Sequence, residues 1–495
     1  MKLLFRLTVF LLTITSCTEN DSIAVDVSEK FTSELTQLKE YFQIPGIAAS
    51  IEQDGKVIYE NYLGFSDYEK KISLDSTHLF PIASLTKIFS GVLIMKLIEQ
   101  QKVSLDEPIK KFFPESALHD SIQIKHILSH TSQGKIGEHF YYSSRFGALT
   151  RIIEMTSGKT FKSAMEEEIF EPLKLKNTFL LKDSAQIVQH NLRIAKPYAL
   201  GDGVEKGFID FGYSTSAGIV SNLKDLHAFN QALDNNTLIS ESSKKLMFTS
   251  VNEKLPYGYG IFNQEVNGEK LVWAYGQYDC YSSLFLKVPS KNITLTLLTN
   301  TNLMSDPARL IYGDVSSSLF ALSFLKNYVF DFNEMDLFES EDSLSFNEGS
   351  ETEFYRKKVL AQALSESFMA RYDSKKMQTS TQLLEEVFSK YPNYLAYADI
   401  NVLHNLTFLK DIAFYRELGA FNKFDNHIEQ ISAKLLKGDS QNPYLHLYMG
   451  VYYDRKGDLE KAKYHFTQIV NAKNFSKNWY TNEAQNWLKN NNVKF

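Results

Sequence analysis

Phe80-Pro81-Ile82-Ala83-Ser84-Leu85-Thr86-Lys87 is the stretch on which the reading of this chain turns. An apolar run follows it: Ile88, Phe89, Val92, Leu93, Met95, Leu97 and Ile98. That run is apolar on most sides of a helix, which predicts a buried helix rather than a surface one. Residues three apart share a helix face, so the Lys87 amine reaches the Ser84 hydroxyl. A serine is a poor nucleophile until a neighbour accepts its proton, and a buried lysine with a lowered pKa can do so. The same spacing recurs at Ser242-Ser243-Lys244-Lys245, in a polar stretch with no apolar helix behind it.

Bulk properties narrow the options. The 495 residues imply about two to four domains. A 43% hydrophobic content leaves room for large cores. A net charge of -6, with no basic tract, argues against a nucleic-acid partner. The only cysteines are Cys17 and Cys280, which excludes a disulfide framework and a cysteine-rich zinc site. Neither a His-Glu-x-x-His nor a Gly-x-x-x-x-Gly-Lys-Ser/Thr motif occurs, so metalloprotease and P-loop chemistry are not signalled.

At the N-terminus Lys2 and Arg6 precede an apolar segment, Leu7 to Ile14, too short to span a bilayer. Ile14-Thr15-Ser16-Cys17 then resembles the bacterial lipobox. That resemblance implies a signal segment over 1–17, lipid on Cys17, a polar tether over 18–27, and a place at the bacterial cell envelope, in the periplasm or on the outer membrane. The alternative is an ordinary signal peptide cleaved nearby. With Cys17 as anchor, Cys280 has no partner in its own chain.

Residues 28–43 carry helix-spaced apolar positions (Phe31, Leu35, Leu38, Tyr41, Phe42) closed by Pro45-Gly46. Ile47 to Glu52 and Val57 to Tyr62 flank Asp54-Gly55, a hairpin signal. Tyr281 to Lys287 and Ile293 to Asn300 read as further strands. The fold class is therefore α+β with an antiparallel sheet. His130, within Leu128-Ser129-His130-Thr131-Ser132, reads either as a general base or as a histidine bonding loop backbone.

Several motifs occur in a fixed order. They are Ala83-Ser84-Leu85-Thr86-Lys87, Leu128 to Ser132, Phe140-Tyr141-Tyr142-Ser143-Ser144, Ile152 to Gly158, Ile169 to Leu173, Ala217 to Asn222, and Tyr257-Gly258-Tyr259-Gly260. Together, over roughly residues 28 to 325, they resemble the class C β-lactamase family with its DD-peptidases and family VIII-type esterases. The resemblance implies a β-lactamase/DD-peptidase-like domain over 28–328, an antiparallel sheet with helices on both sides plus an all-helical subdomain. It implies Ser84, Lys87 and a tyrosine as catalytic residues, and no metal or organic cofactor. The tyrosine opens the family's Tyr-x-Asn motif. Tyr142-Ser143-Ser144 keeps a Tyr-Ser pair with Ser144 in the Asn position; counting back from the following helix favours Tyr141, but the kept Tyr-Ser pair makes Tyr142 the expected catalytic tyrosine. A tyrosine acts as base only if a nearby cation lowers its pKa, and Lys87 is the cation at hand.

The third motif, Lys or His then any residue then Gly, is matched by Ala274-Tyr275-Gly276. The basic residue is replaced by Ala274, and Gly276 is kept. By the resemblance, Ser144, Ala274, Tyr275 and Gly276 face substrate, and the backbone N–H groups of Ser84 and Gln277 form the oxyanion hole. Backbone donors survive side-chain changes, but Ser144 and Ala274 weaken recognition of a substrate carboxylate. Arg145, beside the tyrosine motif, is the candidate to replace the missing cation.

Residues 331–353 are acidic, without Lys or Arg, and read as a solvated linker over 329–354. From 355 to 495 the pattern is helical. In Pro443 to Val470, Gly450, Tyr453, Gly457, Ala462 and Phe466 resemble the packing positions of a tetratricopeptide repeat, so an all-α domain of that type is expected. Leu403 to Glu417 with Asp425 to Leu436, and 359–390, are further candidate pairs. Such a domain serves as a protein- or peptide-binding groove or as a plain bundle. Two functions compete: a serine hydrolase acting on a small-molecule or peptide ester or amide, with weak or no β-lactamase activity, and a catalytically impaired binding protein for cell-wall fragments or peptides.

Overall fold

In the computed structural model, which describes residues 27–189, 193–252, 254–338 and 349–491, the Asp54-Gly55 turn closes a hairpin. Both turn residues are left-handed, with φ of 50° and 72°. The turn joins β1 (Gly46–Gln53) to β2 (Lys56–Asp67), and β3 (Ile72–Ser73) follows at the edge. The short strands β4 (Phe80–Pro81), β5 (Phe179–Leu180), β6 (Tyr198–Leu200), β7 (Val204–Lys206) and β8 (Ile219–Ser221) lie outside the main sheet. The chain returns to it with β9 (Phe262–Val266), β10 (Glu269–Tyr278), β11 (Tyr281–Val288) and β12 (Ile293–Thr299). Strand order is β3-β2-β1-β12-β11-β10-β9, antiparallel throughout. Cys17, the lipobox and most of the tether lie outside the described residues, as does the middle of the acidic stretch.

Side chains alternate across these strands with a period of two, so the sheet buries both faces. Ile47, Ala49 and Ile51 join Leu295 and Leu297 on one face, against Phe31, Leu35 and Leu38 of the helix Val27–Tyr41. Ala48, Val272, Ala274, Phe285 and Leu298 face the other way, into a core built around the helix Thr86–Glu99. In that helix every residue but Lys96, Ile98 and Glu99 is buried, as its all-round apolar pattern predicts. Gly91 is small because the loop carrying Tyr259 crosses there: a Cβ at 91 would lie 2.7 Å from the Tyr259 carbonyl oxygen.

The first core continues without a break into the C-terminal helices Ser350–Met369, Lys375–Lys390, Ile400–Tyr415 and Asp425–Gly438. The acidic stretch differs in part from a solvated linker. Met335 and Leu337 are buried, and helix begins at Ser350. Its apolar residues find a core, and Glu351 and Glu353 sit in the first helical turn, where the helix dipole favours negative charge. Pro443–Lys456 and Leu459–Val470 form a hairpin of helices joined at Gly457 (φ 81°) and capped by Asp458. Gly450 lies under the Phe466 ring, 2.8 Å from where its Cβ would be.

Candidate active site

Ser84 sits in a single tight turn, Ala83–Leu85, that leads straight into the buried helix. The residue before it, Ala83, is left-handed (φ 47°) and buried, a conformation that costs a non-glycine residue energy and re-aims the chain. The surroundings hold this turn firmly. The Ile82 N–H donates to the Ile219 carbonyl at 2.9 Å, and the Ile82 carbonyl accepts from the Ser283 hydroxyl at 2.9 Å. Gly276 passes so close that a Cβ there would lie 2.0 Å from the Ile82 oxygen.

The helical spacing of Ser84 and Lys87 closes to 2.9 Å between Nζ and Oγ. Lys87 Nζ also lies 3.0 Å from the Ser216 carbonyl oxygen and 4.8 Å from the centre of the Tyr142 ring. Burial lowers Lys87 from its ordinary 10.5 to about 7, so its neutral form is available near neutral pH. Burial raises the Tyr142 pKa, and the nearby Ser84 hydroxyl only partly opposes the rise. A cation-lowered tyrosine base therefore does not describe this electrostatics. Desolvation favours the neutral form of both groups, so Tyr142 keeps its proton while Lys87 can lose its own.

The tyrosine loop is built by stacking. His130 is left-handed (φ 56°) and buried, stacks on Tyr142 at 4.4 Å, and accepts the Ser143 N–H through Nδ1 at 3.0 Å. Burial, then the nearby Lys87, holds its pKa well below the ordinary histidine value. This is the loop-bonding role. Tyr141 turns the other way and donates to the Asp439 carboxylate at 2.7 Å, in the C-terminal helical region. The two candidate tyrosines thus differ in place: Tyr142 lines the cavity that holds Ser84, and Tyr141 docks the helices. Tyr142→Phe is expected to lower kcat about a hundredfold with little change in Tm. Tyr141→Phe is expected to lower stability by about 1–2 kcal/mol, by removing one hydrogen bond from a partly buried carboxylate that keeps its bond from Asn442, and to keep turnover per folded molecule. Steady-state kinetics beside thermal melts separates the two; the reverse assignment of effects would make Tyr141 the active-site residue.

The cavity over Ser84 has a volume of about 370 Å³ and is lined by Ser84, Tyr142, Tyr275 and Gln277 among the residues expected there. Ser144 is not among its lining residues; it is exposed at the start of the turn Ser144–Ala148. Ala274 is buried in the sheet core, paired with Phe285. Arg145 points away: its guanidinium donates to the Ser132 carbonyl at 2.6 Å, to the Asn474 carbonyl at 3.1 Å and to Ser476 at 2.9 Å. Ser242 lies exposed on the helix Glu241–Met247, outside this cavity. A larger cavity, about 450 Å³, lies between the C-terminal helices and the 314–317 turn and holds none of the motif residues.

The cavity also contains residues that no local pattern signalled. Arg309 enters it from the loop after β12, ion-paired to Asp306 at 3.5 Å and donating through Nε to His404 at 3.1 Å. Asp306 accepts from the Gln277 side chain at 3.1 Å. Asp210 and Asp279 line the mouth, and Tyr444 and Trp479 come from the C-terminal helices. The one local cue for any of them is the Asp306-Pro307 step that breaks the chain after β12.

Residues 31–315 match the family described as Beta-lactamase. Over 306 residues the chain is 25% identical to Protein flp of Staphylococcus aureus strain MW2, covering 52% of this chain and 60% of that protein. It is also 25% identical over 206 residues to a Beta-lactamase of Escherichia coli strain K12, covering 36% of this chain and 54% of that one. The chain therefore spans about 60% of the length of the first of these relatives. In fold it is similar to the octameric penicillin-binding protein homologue from Pyrococcus abyssi, with a TM-score of 0.56 and 22% identity over 68% of this chain and 81% of that one.

Proposed function

The chain belongs to the Beta-lactamase family, and from that membership we propose that it is a serine hydrolase acting through an acyl-enzyme on an ester or amide. The observation that carries this is the 2.9 Å approach of a buried lysine to Ser84. Neutral Lys87 accepts the Ser84 proton as Oγ attacks the carbonyl carbon. The backbone N–H groups of Ser84 and Gln277 hold the oxyanion. Gln277 is suited to this because β9 pairs with β10 only as far as Trp273, leaving the rest of that edge without a neighbouring strand among the described residues. Lys87, now charged, returns the proton to the leaving group by way of the Tyr142 hydroxyl. Water then attacks the acyl–Ser84 ester by the same path in reverse, and the acid leaves.

Ala274 and Ser144 favour substrates without a carboxylate beside the scissile bond, and Arg309 is already paired with Asp306. A labelled fluorophosphonate and a labelled penicillin, applied side by side and followed by peptide mapping, test this reading. The fluorophosphonate adduct is expected on Ser84. Penicillin labelling is expected to be slower by about tenfold or more, the loss of one charge-assisted bond. An adduct on Ser242, or penicillin reacting as fast, overturns the assignment. Capture of a cell-wall fragment without acid release would favour the binding-protein alternative. The packing of Gly450 on Phe466 and the Gly457–Asp458 turn support a tetratricopeptide-like hairpin in the C-terminal region, which here serves to wall the cleft.

A further inference from the structure

We propose that the Ser84 cleft selects acyl substrates carrying an ammonium group, and that the C-terminal helices supply part of the box that holds it. This rests on Ser84 as the nucleophile and specifies the substrate class of the same site. Three carboxylates and one guanidinium line the cavity: Asp210, Asp279, Asp306 and Arg309. Asp306 and Arg309 neutralise each other at 3.5 Å. Asp210 and Asp279 form no ion pair among the described residues, and Asp210 Oδ2 is buried without a hydrogen-bond partner. Burial, then the Asp279 charge, pushes Asp210 above the usual carboxylate range, the response of an acid that lacks a cation.

Five aromatic rings, Tyr275, Tyr278, Tyr312, Tyr444 and Trp479, line the cavity beside the aliphatic Leu310 and Ile311 and the Ser84, Tyr142 and Gln277 already described. Tyr312 and Tyr444 meet edge to face at 5.3 Å, and Trp479 lies 6.3 Å from Tyr444. Tyr275 is 6% exposed and Tyr444 4% exposed, both line the cavity, and neither hydroxyl has a hydrogen-bond partner among the described residues. Ring faces attract cations, phenolic oxygens accept N–H bonds, and the two unpaired carboxylates supply the opposite charge. A substrate anion would meet the same field as repulsion. Tyr444 and Trp479 are held in place by the clamp between the tyrosine loop and the helices, where Asn474 donates to the Ser132 and Gly134 carbonyls at 3.2 and 3.0 Å.

The test compares alanine methyl ester with N-acetylalanine methyl ester, in both enantiomers, by acid release at constant pH 7. The free-amine ester is expected to have a kcat/KM about tenfold or more above the acetylated one, the worth of one charge-assisted contact. In the Asp210→Asn/Asp279→Asn protein that ratio is expected to fall to near one. A purely structural effect would lower both esters alike and leave the ratio. A ratio near one in the unmodified protein, or a ratio unchanged in the double variant, overturns the proposal. A second arm does not depend on turnover. In Ser84→Ala protein, Trp479 fluorescence is titrated with alanine amide and N-acetylalanine amide. Tighter binding of the free amine supports the ammonium box even if hydrolysis fails, and equal binding refutes it even if hydrolysis succeeds.

Discussion

Ser84→Ala is expected to abolish Ser-dependent ester hydrolysis, lowering kcat for a short-chain p-nitrophenyl ester by about three orders of magnitude or more. The size follows from what the hydroxyl does. It is the atom that forms the covalent bond, so its removal leaves only water attack in a pre-shaped oxyanion site, and no neighbouring group replaces it. Ser216 is near, but it reaches Lys87 through its backbone carbonyl. The fold should not suffer. Ser84 is half-buried, the turn is held by backbone and Ser283 bonds, and alanine is a good helix former at the edge of the helix Thr86–Glu99. The melting temperature is therefore expected to stay within a few degrees, falling slightly where buried Lys87 loses its Ser84 partner. Circular dichroism melts beside a stopped assay check both statements. Full activity in Ser84→Ala would remove Ser84 from the chemistry.

The second large effect belongs to Lys87. Since the neutral amine accepts the proton, kcat/KM should rise with pH through about 7, the value to which burial lowers this group, and level off above it. Lys87→Met is expected to lower kcat by about a hundredfold to ten-thousandfold, and Lys87→Arg by as much, because a guanidinium does not give up its proton in this range. Stability carries the same signature with a definite sign. Between about 7 in the folded state and 10.5 in the unfolded chain, the unfolded chain holds a proton that the folded protein has lost. Stability relative to Lys87→Met must then rise with pH across that window and flatten above it. Denaturant unfolding of both proteins at pH 6.5, 8 and 9.5 reads the difference (the window set by about 7 and 10.5). A pH-independent difference, or a rate that falls with pH through 7, would show that Lys87 stays charged and acts as an electrostatic partner rather than a base.

The α+β class, the Asp54-Gly55 hairpin, the buried helix after Ser84 and the Ser84–Lys87 pair were all legible in the chain. Each is a local statement. A period of two or of 3.6, a turn dipeptide, or an i,i+3 spacing specifies geometry within a few residues. The order of the family motifs extended that reading over roughly residues 28 to 325, and the family match spans 31–315. What the sequence left open turned on contacts across long separations. Tyr141 and Tyr142 are neighbours with opposite fates, separated by an Asp439 carboxylate 298 residues away. Arg145 looked like a replacement cation, but Asn474 and Ser476 draw it out of the cleft. Arg309, Tyr444 and Trp479 have no periodic signature, because a cavity wall gathers side chains from separate elements and no local spacing records which ones meet. The pKa order of Lys87 and Tyr142 is likewise a product of burial, and burial exists only once the sheet, the helix and the C-terminal region have packed together.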